Sequence, residues 1–142
     1  MNNLNPTQAK VAGDSKKFLK NVVDSASPVQ LIVLLYEGCL QWLHMSKQEL
    51  KKNQSAKPPN WSNFSIYMGM AMDILSHLQE SLDPKQAKEF SERMFNLYDF
   101  MKSNLAKANA KKDEKLINEV VDLLKDLKDT WKAAIRQHGT VH

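Results

Sequence analysis

Glycine, proline and cysteine are scarce in this chain, at four, five and one among 142 residues. Each scarcity excludes something. Gly13, Gly38, Gly69 and Gly139 are too scattered to build a loop that cradles phosphate. The lone Cys39 excludes an intramolecular disulfide, and its place in an apolar stretch suits a small buried side chain in a reducing cytoplasm better than a reactive thiol. The histidines (His44, His77, His138 and His142) form no HExxH pair, and Gly139 and the chain end deny His138 and His142 a rigid helical spacing. No alternating run marks a strand. No long apolar stretch follows the basic residues of MNNLNPTQAKVAGDSKK, so neither a secretory signal nor membrane insertion is expected, and the protein is expected in the cytosol.

What is present is charge and apolar side chains in helical register. Lys and Arg number 20 against 16 Asp and Glu, giving a net charge of +4 and a pI near 9.1. A basic balance draws anions. Here, however, Lys16-Lys17, Lys51-Lys52 and Lys111-Lys112 fall at separate helix ends, where lysine compensates the helix dipole, so nucleic acid is not an expected partner. Asp122, Asp126 and Asp129 lie on the outer face of the last helix beside Lys125 and Lys128 and read as solvated charge. No carboxylate has a buried acid–base partner in the pattern, so no enzyme, cofactor or metal is expected. A chain of 16.3 kDa is one domain, able to bury about 70% of its unfolded surface.

Four helices can be read from period and punctuation. The first runs from Pro28 to about Lys52, with Ser27, Pro28 and Gln30 as N-cap, first-turn proline and capping-box residue. Pro58-Pro59 breaks the chain before a second helix over about Trp61 to Ser81. Asp83, Pro84 and Gln86 repeat the capping device, predicting a third helix from there to about Asn109 with Phe90, Met94, Leu97, Tyr98, Met101, Leu105 and Ala108 inward. Phe95 and Phe100 point away from that stripe and are read as lateral packing ahead of partner contacts. Asp113 caps the fourth helix, whose apolar face includes Leu116, Ile117, Val120, Leu124, Leu127, Trp131 and Ile135. The expected fold is all-α, an elongated antiparallel four-helix bundle over 28–137, with 1–27 a mobile N-terminal arm or cap and 138–142 a frayed tail.

The first helix is apolar round most of its circumference. An ordinary surface helix buries a stripe little over about 100° wide, but here two sets arise: Leu31, Leu34, Leu35, Gly38, Trp42 and Met45, and Ile32, Val33, Tyr36, Leu40 and Leu43. Either one set faces the core and the other a partner, or the helix is central and its own neighbours cover it. Periodicity leaves both open.

At NVVDSASPVQLIVLLYEGCLQWL (Asn21 to Leu43) the chain resembles the FliS family of flagellar secretion chaperones. SLD (Ser81 to Asp83), NLYDFMKSNLAKAN (Asn96 to Asn109), KKD (Lys111 to Asp113) and LINEVVDLLKDLKDTWKAAI (Leu116 to Ile135) extend the likeness over nearly the whole folded core, whereas KPPNWSNFSIYMGMAM (Lys57 to Met72) departs from it. The resemblance implies a cytoplasmic chaperone that holds the disordered C-terminal segment of flagellin in hydrophobic grooves, blocks premature polymerisation and aids delivery to the flagellar type III export apparatus. An export-gate component and a co-chaperone are further implied partners, with a monomer or weak dimer in the absence of client. The family's arm carries a tyrosine where this chain has Phe18, so Phe18 and Val22 become candidates for capping the groove. Candidate client-binding or groove-supporting residues are then Leu31, Leu34, Leu35, Tyr36, Gly38, Trp42, Tyr98, Met101, Leu124, Leu127 and Trp131, together with Phe18 and Val22. A helical adaptor or assembly protein that binds another folded protein or itself is the alternative.

Overall fold

The computed structural model describes residues 28–85 and 87–139, with side chains through 137. Its helices are α1 (Pro28–Gln54), α2 (Ser62–Glu80), α3 (Lys88–Lys111) and α4 (Glu114–Gly139). Each packs on its chain neighbours, and α4 returns to α1, closing a four-membered ring in which α1 and α3 lie on the diagonal. Paired positions run in opposite directions along every adjacent pair. Cys39 meets Ala71 and Trp42 meets Tyr67; Gln79 meets Asp99 while Ser65 meets Asn109; Asn104 meets Glu119 while Phe90 meets Trp131. The bundle is all-α and antiparallel, as expected.

Local chemistry explains most of the boundaries. Proline opens α1, where its missing N–H costs nothing because the first-turn donors have no helical acceptor. Asn53 closes the α1–α2 loop: its Nδ2 donates to the Glu49 carbonyl at 2.9 Å and its Oδ1 accepts the Asn60 N–H at 2.9 Å. Asp113 caps α4, its Oδ1 accepting the Lys115 N–H at 3.0 Å. Just before it, Lys112 occupies the left-handed region at φ 55°, a position that favours glycine. Lysine is held there by its side chain, whose ammonium lies 5.4 Å from the Trp61 ring centroid and 5.2 Å from that of Phe64 and donates to the Asn109 carbonyl.

The third helix begins later than its sequence suggests. Asp83 and Pro84 form a turn rather than a first helical turn: Asp83 Oδ1 accepts the Lys85 N–H at 2.9 Å, and its carbonyl accepts the Ser91 hydroxyl at 2.9 Å. Ala87 then takes a left-handed φ of 49°, reversing the chain before Lys88. Ser27 and Gln86 lie outside the described residues. At the other end, α4 continues to Gly139, past the expected end at Gln137.

Leu35, Leu43, Leu50, Phe64, Met68, Ile74, Leu75, Leu78, Met101, Leu105, Ile117, Val120 and Leu124 fill the core. Phe90, expected inward, is 40% exposed because it sits in the first turn of the late-starting α3, where the inward stripe runs out towards the bundle end. Phe95 and Phe100 are each about half covered, at 48% and 47% exposed. No helix among the described residues is long and apolar enough to cross a membrane.

Candidate apolar binding surface

α1 occupies one corner of the four-helix ring, and α2 and α4 take up most but not all of its apolar surface. Val33, Leu35, Tyr36, Gly38 and Leu43 are buried, whereas Leu31, Ile32, Leu34, Leu40, Trp42 and Met45 stay half-buried at the margins, so members of both apolar sets reach the surface. At the middle of the bundle, Tyr36 of α1 and Tyr98 of α3 share a hydrogen bond of 2.6 Å across the diagonal, and Trp131 Nε1 donates to the Tyr36 hydroxyl at 3.1 Å. Burial raises the pKa of both phenols, so they stay protonated at neutral pH. Nearby, the Cys39 thiol donates to the Ala71 carbonyl at 3.6 Å, and burial pushes its pKa up as well. These groups act as neutral hydrogen-bonding partners that tie α1 to each of the other three helices.

The candidate residues divide by depth. Leu35, Tyr36, Gly38, Tyr98, Met101 and Leu124 are buried and can only shape a surface from beneath. Leu31, Leu34, Trp42, Leu127 and Trp131 are half-buried and reach it, Trp42 stacked on Tyr67 with ring centroids 5.8 Å apart. Phe18 and Val22 lie outside the described residues.

Two apolar hollows flank the start of α3. One, of about 530 Å³, lies between the end of α2 and α3 and is lined by Gln79, Leu82, Pro84, Ser91 and Phe95 among others. The other, of about 250 Å³, sits at the bundle end, where Ile32, Leu78, Met94 and Tyr98 meet Phe90 and Trp131. The two aromatic rings there stand edge to face, centroids 6.2 Å apart. Of the candidate residues only Tyr98 and Trp131 line either hollow; Ile32, Leu78, Leu82, Pro84, Met94 and Phe95 were not among them. The available sequence signal was an aromatic out of register on an otherwise polar helix. Among the described residues, no cluster of His, Cys, Asp and Glu is arranged to hold a metal ion.

A family model described as flagellar protein FliS matches residues 12–138. The chain is also similar to the flagellar secretion chaperone FliS of Bacillus subtilis, at 29% identity over 128 residues, 87% of this chain and 90% of that protein. To the flagellar secretion chaperone FliSB of Pseudomonas aeruginosa it is 31% identical over 109 residues, 77% of this chain and 82% of the other. To the flagellar secretion chaperone FliS of Escherichia coli it is 27% identical over 118 residues, 82% of each chain. The family match takes in α1, α2, α3 and all but the last residue of α4.

Proposed function

The chain belongs to the FliS family of flagellar proteins, and we propose that it is an export chaperone that binds the disordered C-terminal segment of flagellin, keeps it from polymerising and helps deliver it to the flagellar type III export apparatus. The family match across residues 12–138 carries this reading. Relatives named as flagellar secretion chaperones support it. In this reading the chaperone works in the cytosol as a client-free monomer or weak dimer, and an export-gate component and a co-chaperone are further partners.

The physical route is burial of apolar surface. A client segment that would pair with other flagellin copies is amphipathic, and its apolar face can instead lie in hollows such as those beside Phe90, Phe95 and Trp131. Covering the exposed half of one phenylalanine contributes about 1 kcal/mol, so several such contacts are needed to offset the ordering of a disordered segment. Leu31, Leu34, Trp42 and Leu127 extend this surface in the proposal, while Leu35, Tyr36, Gly38, Tyr98, Met101 and Leu124 hold it rigid from beneath. Phe18 and Val22 cap it.

Calorimetric titration of the full chain with the C-terminal segment of flagellin from the same source tests the proposal. Saturable one-to-one binding with a negative heat-capacity change and a gain of helix is expected. A folded protein that gives no heat of binding overturns the flagellin assignment and favours an adaptor that binds a folded partner or itself.

A further inference from the structure

A different face of the bundle carries a different chemistry. Between α1 and α4 runs a depression of about 350 Å³ with Leu40 and Val121 as apolar lining and Lys47, Lys125 and Lys128 along it. Glu37, the carboxylate in its lining, is engaged 3.5 Å from Lys132. The other three lysines have no ion pair among the described residues, so the groove keeps an uncompensated positive charge.

The charges of α4 are sorted by side. At 100° per residue, Lys125, Lys128 and Lys132 fall within an arc of about 60°, and their shared face is the one turned to α1. Asp122, Asp126 and Asp129 occupy the adjoining arc of about 60°, away from that face. A positive trough thus lies beside a negative ridge.

We propose that this groove docks an acidic segment of a partner protein, a peptide stretch carrying carboxylates beside small or medium apolar side chains. Carboxylates would pair with Lys47, Lys125 and Lys128, and the apolar side chains would rest on Leu40 and Val121. The ridge of aspartates selects the class of partner: a nucleic-acid duplex or an anionic membrane is broad and would meet that ridge, whereas a single peptide segment fits within the trough. Arginine, the usual bidentate reader of phosphate, is absent from the groove lining. The surface is separate from the hollows around α3, so an acidic segment could dock there whether or not flagellin is the client.

Fluorescence anisotropy of the full chain with a short labelled peptide that alternates glutamate and leucine tests the proposal, with a glutamine-for-glutamate peptide as comparison. The acidic peptide is expected to bind saturably and more weakly as salt rises. The double variant Lys125→Glu/Lys128→Glu should lose about tenfold in affinity with unchanged circular dichroism. Lys111→Glu/Lys115→Glu, which alters net charge equally but away from the groove, should bind like the parent. Equal binding of the glutamine peptide, equal losses in the two double variants, or tighter binding of a DNA duplex or phosphatidylglycerol vesicles would each overturn the assignment.

Discussion

α1 and α3 face each other across the bundle and carry their apolar side chains in opposite ways. α1 is apolar nearly all round, yet of its large apolar residues only Val29, near its start, is more than a third exposed. α3 is polar over most of its surface, yet Phe90, Phe95 and Phe100 are the other three exposed large apolar side chains among the described residues. The interfaces of α1 with α2 and α4 are the more extensive, so its abundance of apolar groups is absorbed by the fold. The aromatics of α3 meet no such demand. A surplus of apolar residues on one helix therefore signals extensive interfaces with its neighbours, while a few large rings among charges signal surface left over for something else.

The sharpest way to break this comparison is to place one charge on each helix. Leu35→Asp puts an unpaired carboxylate where the side chain is 1% exposed, and the penalty of several kcal/mol is comparable to a domain's whole stability. The variant should be unfolded by circular dichroism at neutral pH. Phe95→Asp should fold with a urea midpoint close to the parent's. If Leu35→Asp folds normally, the Leu35 side chain is not part of the core.

Alkali should produce the next largest effect. Cys39, Tyr36 and Tyr98 all have pKa values raised by burial from ordinary values of 9.0, 10.0 and 10.0. Above those ordinary values the unfolded chain gives up protons that the fold retains, so stability is fully present below about pH 9 and falls as pH rises beyond 10 towards the folded values. The loss from any one group is at most about 1.4 kcal/mol per pH unit while its folded form stays protonated. Urea unfolding at a series of pH values between 8 and 11 should show this decline, and Cys39→Ala should make it shallower. A flat profile would mean that these groups are not held protonated in the fold.

Removing one hydroxyl at a time is a finer probe of the link between α1 and α3. Tyr36 serves both Tyr98 and Trp131, whereas among the described residues the Tyr98 hydroxyl is bonded to Tyr36. Tyr36→Phe strands the buried Tyr98 hydroxyl and the half-buried Trp131 Nε1 and should cost about 2 kcal/mol; Tyr98→Phe strands one partner and should cost about 1 kcal/mol. Equal losses in denaturant melts would remove Tyr36 from the centre of the network.

Much of this architecture was legible because helical period reports which residues share a face. In α2 the i, i+3, i+4 spacing of Phe64, Tyr67, Met68, Ala71, Ile74, Leu75 and Leu78 puts them on one side, and all are buried; the Leu116–Trp131 face of α4 follows from spacing in the same way. Asp113 was legible as a cap, and its Oδ1 takes the Lys115 N–H just inside α4. Asp83 carried the same signal and misled: its side chain takes the Lys85 N–H and its carbonyl takes the Ser91 hydroxyl, a bond made eight residues away in sequence. Tertiary closure thus turned a helix start into a turn and carried Phe90 to the exposed edge. The depth of candidate residues was also hidden, since a wheel gives direction but not what stands in that direction. Tyr36 and Trp42 look alike on paper; one is fully buried and the other reaches the margin.

The smallest effect on stability is expected at the sites most open to a partner, and that separation is the useful test. Phe95→Ser and Phe100→Ser remove rings that are about half exposed, so each should lower unfolding free energy by no more than about 1 kcal/mol. The two rings differ in setting. Phe95 lines the 530 Å³ hollow between α2 and α3, and Phe100 lines neither apolar hollow. Under the proposed function Phe95→Ser should weaken binding of the flagellin segment about fivefold, the worth of about 1 kcal/mol of ring burial. Phe100→Ser should weaken it less, because a ring outside a concave site excludes less water from the contact. Titration calorimetry of both variants decides the order. A larger loss at Phe100 would move the client to the α3–α4 side of the bundle, and no loss at either would show that exposed aromatics on α3 are not what the client covers.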